Sequence, residues 1–316
     1  MGDLSFPGKK NSTTVVRWAS YNSDMNFDAA LHQLALDPAS PLDLAELALL
    51  LARDEYPDLD VEACLSELDG MAHEAKAYLR GDLQARVEGL CRYLFHEMGF
   101  RGNKQEYYDA RNSYLNQVLE RRKGIPISLS VVAMAVGNRA GLHVMGVGLP
   151  GHFVVKAVAE PSEQDFLSRA VKGSDSMCGG REIIFDPFHG GRLLSPKDCE
   201  HLVYQVTGET FQLTPGSLQE VPVGFILLRM LNNLKGTYLR DRDFTRGARV
   251  IERLRQLKPT DPLQERDLGV CLLQTEQPGK AINHLQAYLK AAPKADDAAA
   301  VGRLLSQAEG QVARWN

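Results

Sequence analysis

The sequence predicts a mainly helical α+β protein: a helical layer, a small antiparallel sheet beside one buried helix, and paired helices toward the C-terminal end. Three observations predict it. From Ile127 to Val136 almost every residue is apolar or small, so a helix there has no solvent face and runs through a core. The runs VMGVGL, HFVVKAV and REIIF are short, apolar and β-branched, and Gly, Pro and Asp-Pro interrupt them, which is strand and turn chemistry. Pro259 in LKPTDP and Pro293 in AAPKAD stand 34 residues apart within purely helical patterning, a period of stacked helical hairpins.

Taken in order, residues 1–25 are polar and irregular and are expected to form a flexible N-terminal arm. From Asn26 the pattern is helical: FDAALHQLAL, a DPASP break, then LDLAELALLLARDEYP, where Pro41, Asp43 and Glu46 supply first-turn chemistry. DVEACLSELDGMAHEAKAYLRG and DLQARVEGLCRYLFHEMGF repeat the signature, so the chain to about residue 100 forms a helical layer. RGNKQEYYDAR is a polar loop, after which Asn112 or Ser113 is expected to cap the helix SYLNQVLERRK. Gly124 is expected to close that helix, and Pro126, with fixed φ and no N–H, suits the first turn of the next.

Strands are expected near residues 143–149, 152–158 and 182–186, with a polar insertion between Ala157 and Ile183. PFHGGRLLSPKDCEHLVYQV then reads as a Gly-rich turn and a helix capped near Ser195-Pro196. Residues 26–222 thus make one domain, and 223–316 a helical array. With the two prolines in register, Leu234, Tyr238, Gly247, Ile251 and Leu254 meet Leu268, Leu272, Ala281, Leu285 and Tyr288, and Gly269 takes a small position. Two repeats are fewer than stand alone, so the array is expected to dock on the preceding domain.

A net charge of -4 and a pI near 6.1 give no electrostatic case for nucleic acid or anionic membrane. No apolar run approaches the length of a membrane span, and MGDLSFPGKKNSTT lacks a hydrophobic leader, so a cytoplasmic location is expected. The five cysteines, Cys64, Cys91, Cys178, Cys199 and Cys271, are widely spaced with no C-x-x-C pair and read as reduced thiols.

NSYLNQVLERRKGIPISLSVV, GVGLPGHFVVKA and FDPFHGGRLLS, with tetratricopeptide-like helices behind them, resemble the SirB-type bacterial branch of the transglutaminase-like superfamily, a segment of which recurs in some F-box proteins. The resemblance covers most of residues 40–295 and implies a papain-like core. In that core a Cys at a helix N-terminus pairs with a His that an Asp orients, and His152 and Asp186 stand at the latter two positions. Active members carry the Cys about fifteen residues before the Gly that opens the next strand; fifteen before Gly141 is Pro126, which has no nucleophile. Ser128 lies roughly 200° further round the helix, and Ser130 shares the face of Pro126 one turn deeper.

Two readings follow. One is a non-catalytic module that binds a protein or peptide partner through its cleft and repeats; the other is a hydrolase or acyl-transferase whose nucleophile is Ser128 or an activated water. Tyr107, Tyr108 and Arg111, with Asp109, either line a cleft beside Pro126 or tie their loop to the core. His189, three residues from Asp186, raises a metal reading with His152, but the three lack a helical H-x-x-x-H frame and a further anchor. No metal or cofactor is therefore expected.

Overall fold

The computed structural model describes residues 26–159, 182–214 and 216–314. The expected N-terminal arm and the insertion with Cys178 lie outside these residues. Four helices form the first layer: α1 (Phe27–Leu36), α2 (Leu44–Arg53), α3 (Val61–Ala75) and α4 (Leu83–Cys91), the last running on into a π-helical turn at Arg92–Glu97. Each begins where a side-chain oxygen of Asn26, Asp43, Asp60 or Asp82 accepts a first-turn N–H. Their apolar stripes, among them Leu31, Leu34, Leu47, Leu51, Leu68 and Leu90, are buried in one core.

Burial in α2 extends to Glu46, which is only 4% exposed. Desolvation, reinforced by Asp43 and opposed by Arg139, pushes its carboxyl up to about 7. The folded state therefore prefers the neutral acid, and stability is lost as pH rises from the unfolded value near 4.5 through the folded one. Glu46→Gln should match the wild type below pH ~4.5 and exceed it by roughly 2 kcal/mol at pH ~8, as read by urea unfolding across pH.

Helix α5 (Leu115–Arg121) follows the loop, and two-residue strands β1 (Arg101–Gly102) and β2 (Lys123–Gly124) pair in parallel. Two expectations are corrected here. Neither Asn112 nor Ser113 caps α5, because both lie in or beside a short 3-10 turn and Tyr114 takes the cap position without a side-chain bond. Nor does Gly124 close α5. Arg122 adopts the left-handed conformation (φ 55°), its side chain held by Glu67 at 2.9 Å and by the Phe100 ring. Gly124 is small for a different reason, since a Cβ there would come within 2.6 Å of Ser128 Oγ.

Helix α6 (Pro126–Arg139) is buried from Pro126 through Gly137 and packs against α3 and the main sheet. That sheet has the order β3 (Val144–Leu149), β4 (His152–Val158), β5 (Glu182–Asp186), β6 (Arg192–Leu194), all antiparallel. Alternation gives it two buried faces. Phe153, Val155, Ala157 and Phe185 join the core of α6, whereas Val147, Leu149, Val154, Ile184 and Leu194 meet Cys199, Leu202 and Val203 of α7 (Pro196–Thr207). Ser195 opens α7 with a reciprocal cap: its Oγ accepts from Asp198 N–H, and Asp198 Oδ2 accepts from Ser195 N–H.

The C-terminal array comprises α8 (Val223–Arg240), α9 (Phe244–Leu257), α10 (Pro262–Gln274), α11 (Pro278–Ala291) and α12 (Ala298–Ala313). Gly269 sits where a Cβ would approach Leu285 to 2.7 Å, the tight helix crossing that its register position requires. The array is docked. Met230, Leu231, Leu234, Val250 and Leu254 belong to the main core, Tyr238 Oη lies 2.8 Å from Tyr114 Oη, and Arg253 grips Asp54 through two bonds of 2.8 Å. Among the described residues no helix is long and apolar enough to cross a membrane.

Candidate functional site

The β3–β4 hairpin turns on Pro150 and Gly151, with Leu149 opposite His152. Pro150 fixes φ and Gly151 takes φ +68°, the combination a tight turn of this kind needs. A Cβ at Gly151 would also approach Val206 to 2.8 Å and Thr207 to 2.9 Å, so the end of α7 closes over the turn. The turn thereby fixes His152 at the first position of β4, 4% exposed. Two strands pair antiparallel to bring Asp186, the last residue of β5, beside it.

His152 Nε2 lies 2.9 Å from Asp186 Oδ2, and His189 Nδ1 lies 2.7 Å from the same oxygen. The other oxygen, Oδ1, accepts the backbone N–H groups of Phe188 and His189 at 2.9 and 3.4 Å. Burial alone raises the Asp186 carboxyl, but hydrogen bonds from both imidazoles outweigh it and hold the group well below the usual carboxylate range. An ionised carboxylate only accepts, so each neutral imidazole places its proton on the nitrogen facing Asp186. His152 Nδ1 and His189 Nε2 are then the basic nitrogens. The two rings stack 5.8 Å apart at 24°.

Pro126 is buried at the start of α6, and α6 packs against the Pro187–His189 turn that carries Phe188 and His189. The first residue of this helix therefore offers no side-chain nucleophile. Ser128 and Ser130 are fully buried. Ser128 Oγ donates to Asn112 O at 2.6 Å and accepts Ile125 N–H at 3.1 Å; Ser130 Oγ donates to Pro126 O at 2.8 Å. Neither hydroxyl is hydrogen-bonded to His152. Burial pushes the Cys199 thiol up to about 11, with Asp198 and Asp186 adding to it, and the Cys91 and Cys271 thiols up to about 12. Cys64 is also raised by burial.

Tyr107 reaches the site: its ring meets Phe188 edge-on at 5.9 Å, and Phe188 meets His152 at 6.1 Å. Tyr108 packs on Tyr107, and the Arg240 guanidinium of α8 stacks 3.7 Å over its ring. Arg111 is not brought to the imidazoles; it pairs with Asp109 at 2.7 Å, and Asp109 also holds Arg121. The loop is pinned from inside by Asn112, whose amide donates to Glu106 O and Tyr107 O and whose Oδ1 accepts from Asn103. Asp109, Arg111 and Asn112 thus fasten the loop, while the Tyr107 ring packs on Phe188 and Tyr108.

Arg229 of α8 is the site residue that sequence reasoning missed. Its Nη2 donates to the carbonyls of Leu149 (3.2 Å) and His152 (2.6 Å), bracketing the turn, and its guanidinium lies 5.3 Å from the Phe153 ring. Nothing in an amphipathic helix marks an arginine that binds carbonyls eighty residues away. Arg229→Met should free both carbonyls and speed amide exchange at Gly151 and His152, at a cost of about 2 kcal/mol in unfolding free energy.

A transglutaminase-like superfamily model matches residues 62–232, and a tetratricopeptide repeat model matches residues 234–306. Among curated proteins, the chain is 36% identical to a UPF0162 protein of Xylella fastidiosa (strain Temecula1), covering 83% of this chain and 88% of that one. It is 30% identical to a UPF0162 protein of Vibrio cholerae, covering 80% and 87%. Mouse F-box only protein 21 is 32% identical over 52% of this chain and 23% of its own length. No solved structure matches. The buried helix, hairpin histidine and strand-end aspartate lie within the first match and the stacked helical pairs within the second, and the chain belongs to the transglutaminase-like superfamily, in the UPF0162 protein family.

Proposed function

We propose that this chain is a protein- or peptide-binding member of its superfamily, using its cleft and helical repeats, and that it performs no thiol-dependent acyl transfer. The observation that carries the reading is Pro126 at the first position of α6, the helix that packs against the turn carrying His189, while His152 and Asp186 keep their hydrogen bond. Acyl transfer needs a nucleophile next to the basic nitrogen of His152, and Pro126 has neither a proton to give up nor a lone pair for attack. Of the described thiols, Cys91, Cys199 and Cys271 are buried and Cys64 is half-buried, all four are raised, and Ser128 commits its proton to Asn112 O.

Binding is supported by the surface that remains. Tyr107 and Tyr108 are 37% and 60% exposed, and Arg240 stacked on Tyr108 joins this aromatic rim to the first repeat helix. Exposed tyrosines beside an arginine are the residue types that dominate interface energetics. Tetratricopeptide arrays present surfaces suited to extended segments. The test is selection of peptides from a random display library against the full chain, followed by affinity measurement on Tyr107→Ala/Tyr108→Ala and Arg240→Ala. Tenfold or greater weakening in these variants is expected. Peptides that bind all variants equally, or a wild-type chain that turns over acyl donors in a His152-dependent way, would contradict the reading.

A further inference from the structure

An orienting carboxylate needs one imidazole, and Asp186 has two. His189 is the second: its Nδ1 converges on the same oxygen that His152 Nε2 contacts, and its side chain is about one-third exposed. His152 Nε2, Asp186 Oδ2 and His189 Nδ1 all lie within 4.8 Å of one another. We propose that these three atoms bind a single d-block dication of the zinc and cobalt class, with the remaining coordination position open beside His189.

The donor set supports that class of ion. Two imidazole nitrogens and one carboxylate oxygen suit borderline dications, whereas magnesium and calcium favour oxygen alone. Three protein ligands with an open position are the arrangement of a zinc site that keeps room for water or ligand. The supports behind the ligands are also present. Asp186 Oδ1 is held by two backbone N–H groups, so the carboxylate is fixed with Oδ2 toward the rings, and Arg229 holds the His152 carbonyl.

Binding exchanges two N–H···O contacts for three metal bonds without net proton release from neutral imidazoles. The His152 proton moves from Nε2 to Nδ1, and the His189 proton moves from Nδ1 to Nε2 at the exposed edge. Bonds of about 2.1 Å in a tetrahedral centre set ligand atoms about 3.4 Å apart, so the present 2.9 and 2.7 Å separations open by roughly half an ångström or slightly more, and the two nitrogens, within 4.8 Å of each other, settle to the same spacing. Ring rotation of the partly exposed His189 supplies part of that opening. The inference is independent of peptide binding, since the three ligands come from this chain alone.

The test is titration of EDTA-stripped full chain with Co²⁺, read by visible absorption, and with Zn²⁺, read by calorimetry. One ion per chain is expected, with a tetrahedral or five-coordinate cobalt spectrum. His189→Ala, at a partly exposed position where folding is checked by circular dichroism, should weaken binding at least tenfold. His201→Ala and His284→Ala, imidazoles elsewhere in the fold, should leave it unchanged. Absence of stoichiometric binding by the wild type, or binding that survives His189→Ala and Asp186→Asn undiminished, overturns the proposal. Neither result bears on the peptide-selection experiment, so the two ideas fail separately.

Discussion

Asp186→Ala is expected to lower the unfolding free energy by about 3–5 kcal/mol. The carboxylate is 1% exposed and accepts four hydrogen bonds, two from imidazoles and two from backbone N–H groups. Truncation leaves the buried Nε2–H of His152 and the Phe188 N–H without their acceptor, and such orphaned donors carry their full desolvation cost. Asp186→Asn should cost less, on the order of 1–2 kcal/mol, because one carbonyl oxygen remains to accept. The sign of the pH dependence follows from the depressed carboxyl: its stabilisation is present above the unfolded value and is lost as pH falls toward the folded one. The gap between wild type and Asp186→Asn in urea unfolding should therefore narrow below pH ~4. A loss under 1 kcal/mol for Asp186→Ala would show that the network contributes little to the fold.

Pro126→Cys is expected to create a thiol that reacts with iodoacetamide at pH ~6.5 on the order of tenfold faster than in Pro126→Cys/His152→Ala. A cysteine at the first position of α6 meets the positive end of the helix, and His152 Nδ1 is the ring nitrogen that Asp186 leaves basic. Together these lower a thiol from its usual value near 8.5 into the range where an appreciable fraction is thiolate below neutrality. Losing proline costs little at a position whose N–H has no partner within the helix. The background is favourable, since burial raises Cys64, Cys91, Cys199 and Cys271. A Cys178→Ser chain kept in EDTA removes the remaining thiol and any bound ion. An inert thiol in a correctly folded variant would mean that the imidazole no longer addresses position 126.

The sequence carried the parts of this structure that are written locally. The all-apolar run after Pro126 read as a buried helix, the β-branched runs either side of Pro150-Gly151 as two strands joined by a turn, and Asp186-Pro187 as a strand end, and the structure has all three. The 34-residue spacing of Pro259 and Pro293 fixed the register of the repeats. What escaped was written in distant contacts. Strand β6 spans only Arg192–Leu194 after a Gly-Gly turn, too short to show alternation, and exists because Leu193 pairs with Phe185. Arg122 holds a left-handed conformation through Glu67 and Phe100, so the nearby glycine was a misleading cap signal. In the site, His152 and Asp186 stood out by motif, but Arg229 is known only from the carbonyls it reaches. That Tyr107 faces Phe188 while Arg111 turns to Asp109 depends on Asn112 pinning the loop, which no spacing encodes.

The proposal that no nucleophile works beside His152 is tested most directly by intact-mass spectrometry of the full chain after treatment with a fluorophosphonate and, separately, with iodoacetamide at neutral pH. Wild type and His152→Ala should give identical adduct profiles, because no described hydroxyl or thiol is hydrogen-bonded to His152 and Ser128 is buried against Asn112 O. A single fluorophosphonate adduct per chain that disappears in both Ser128→Ala and His152→Ala would contradict the account and establish a serine enzyme.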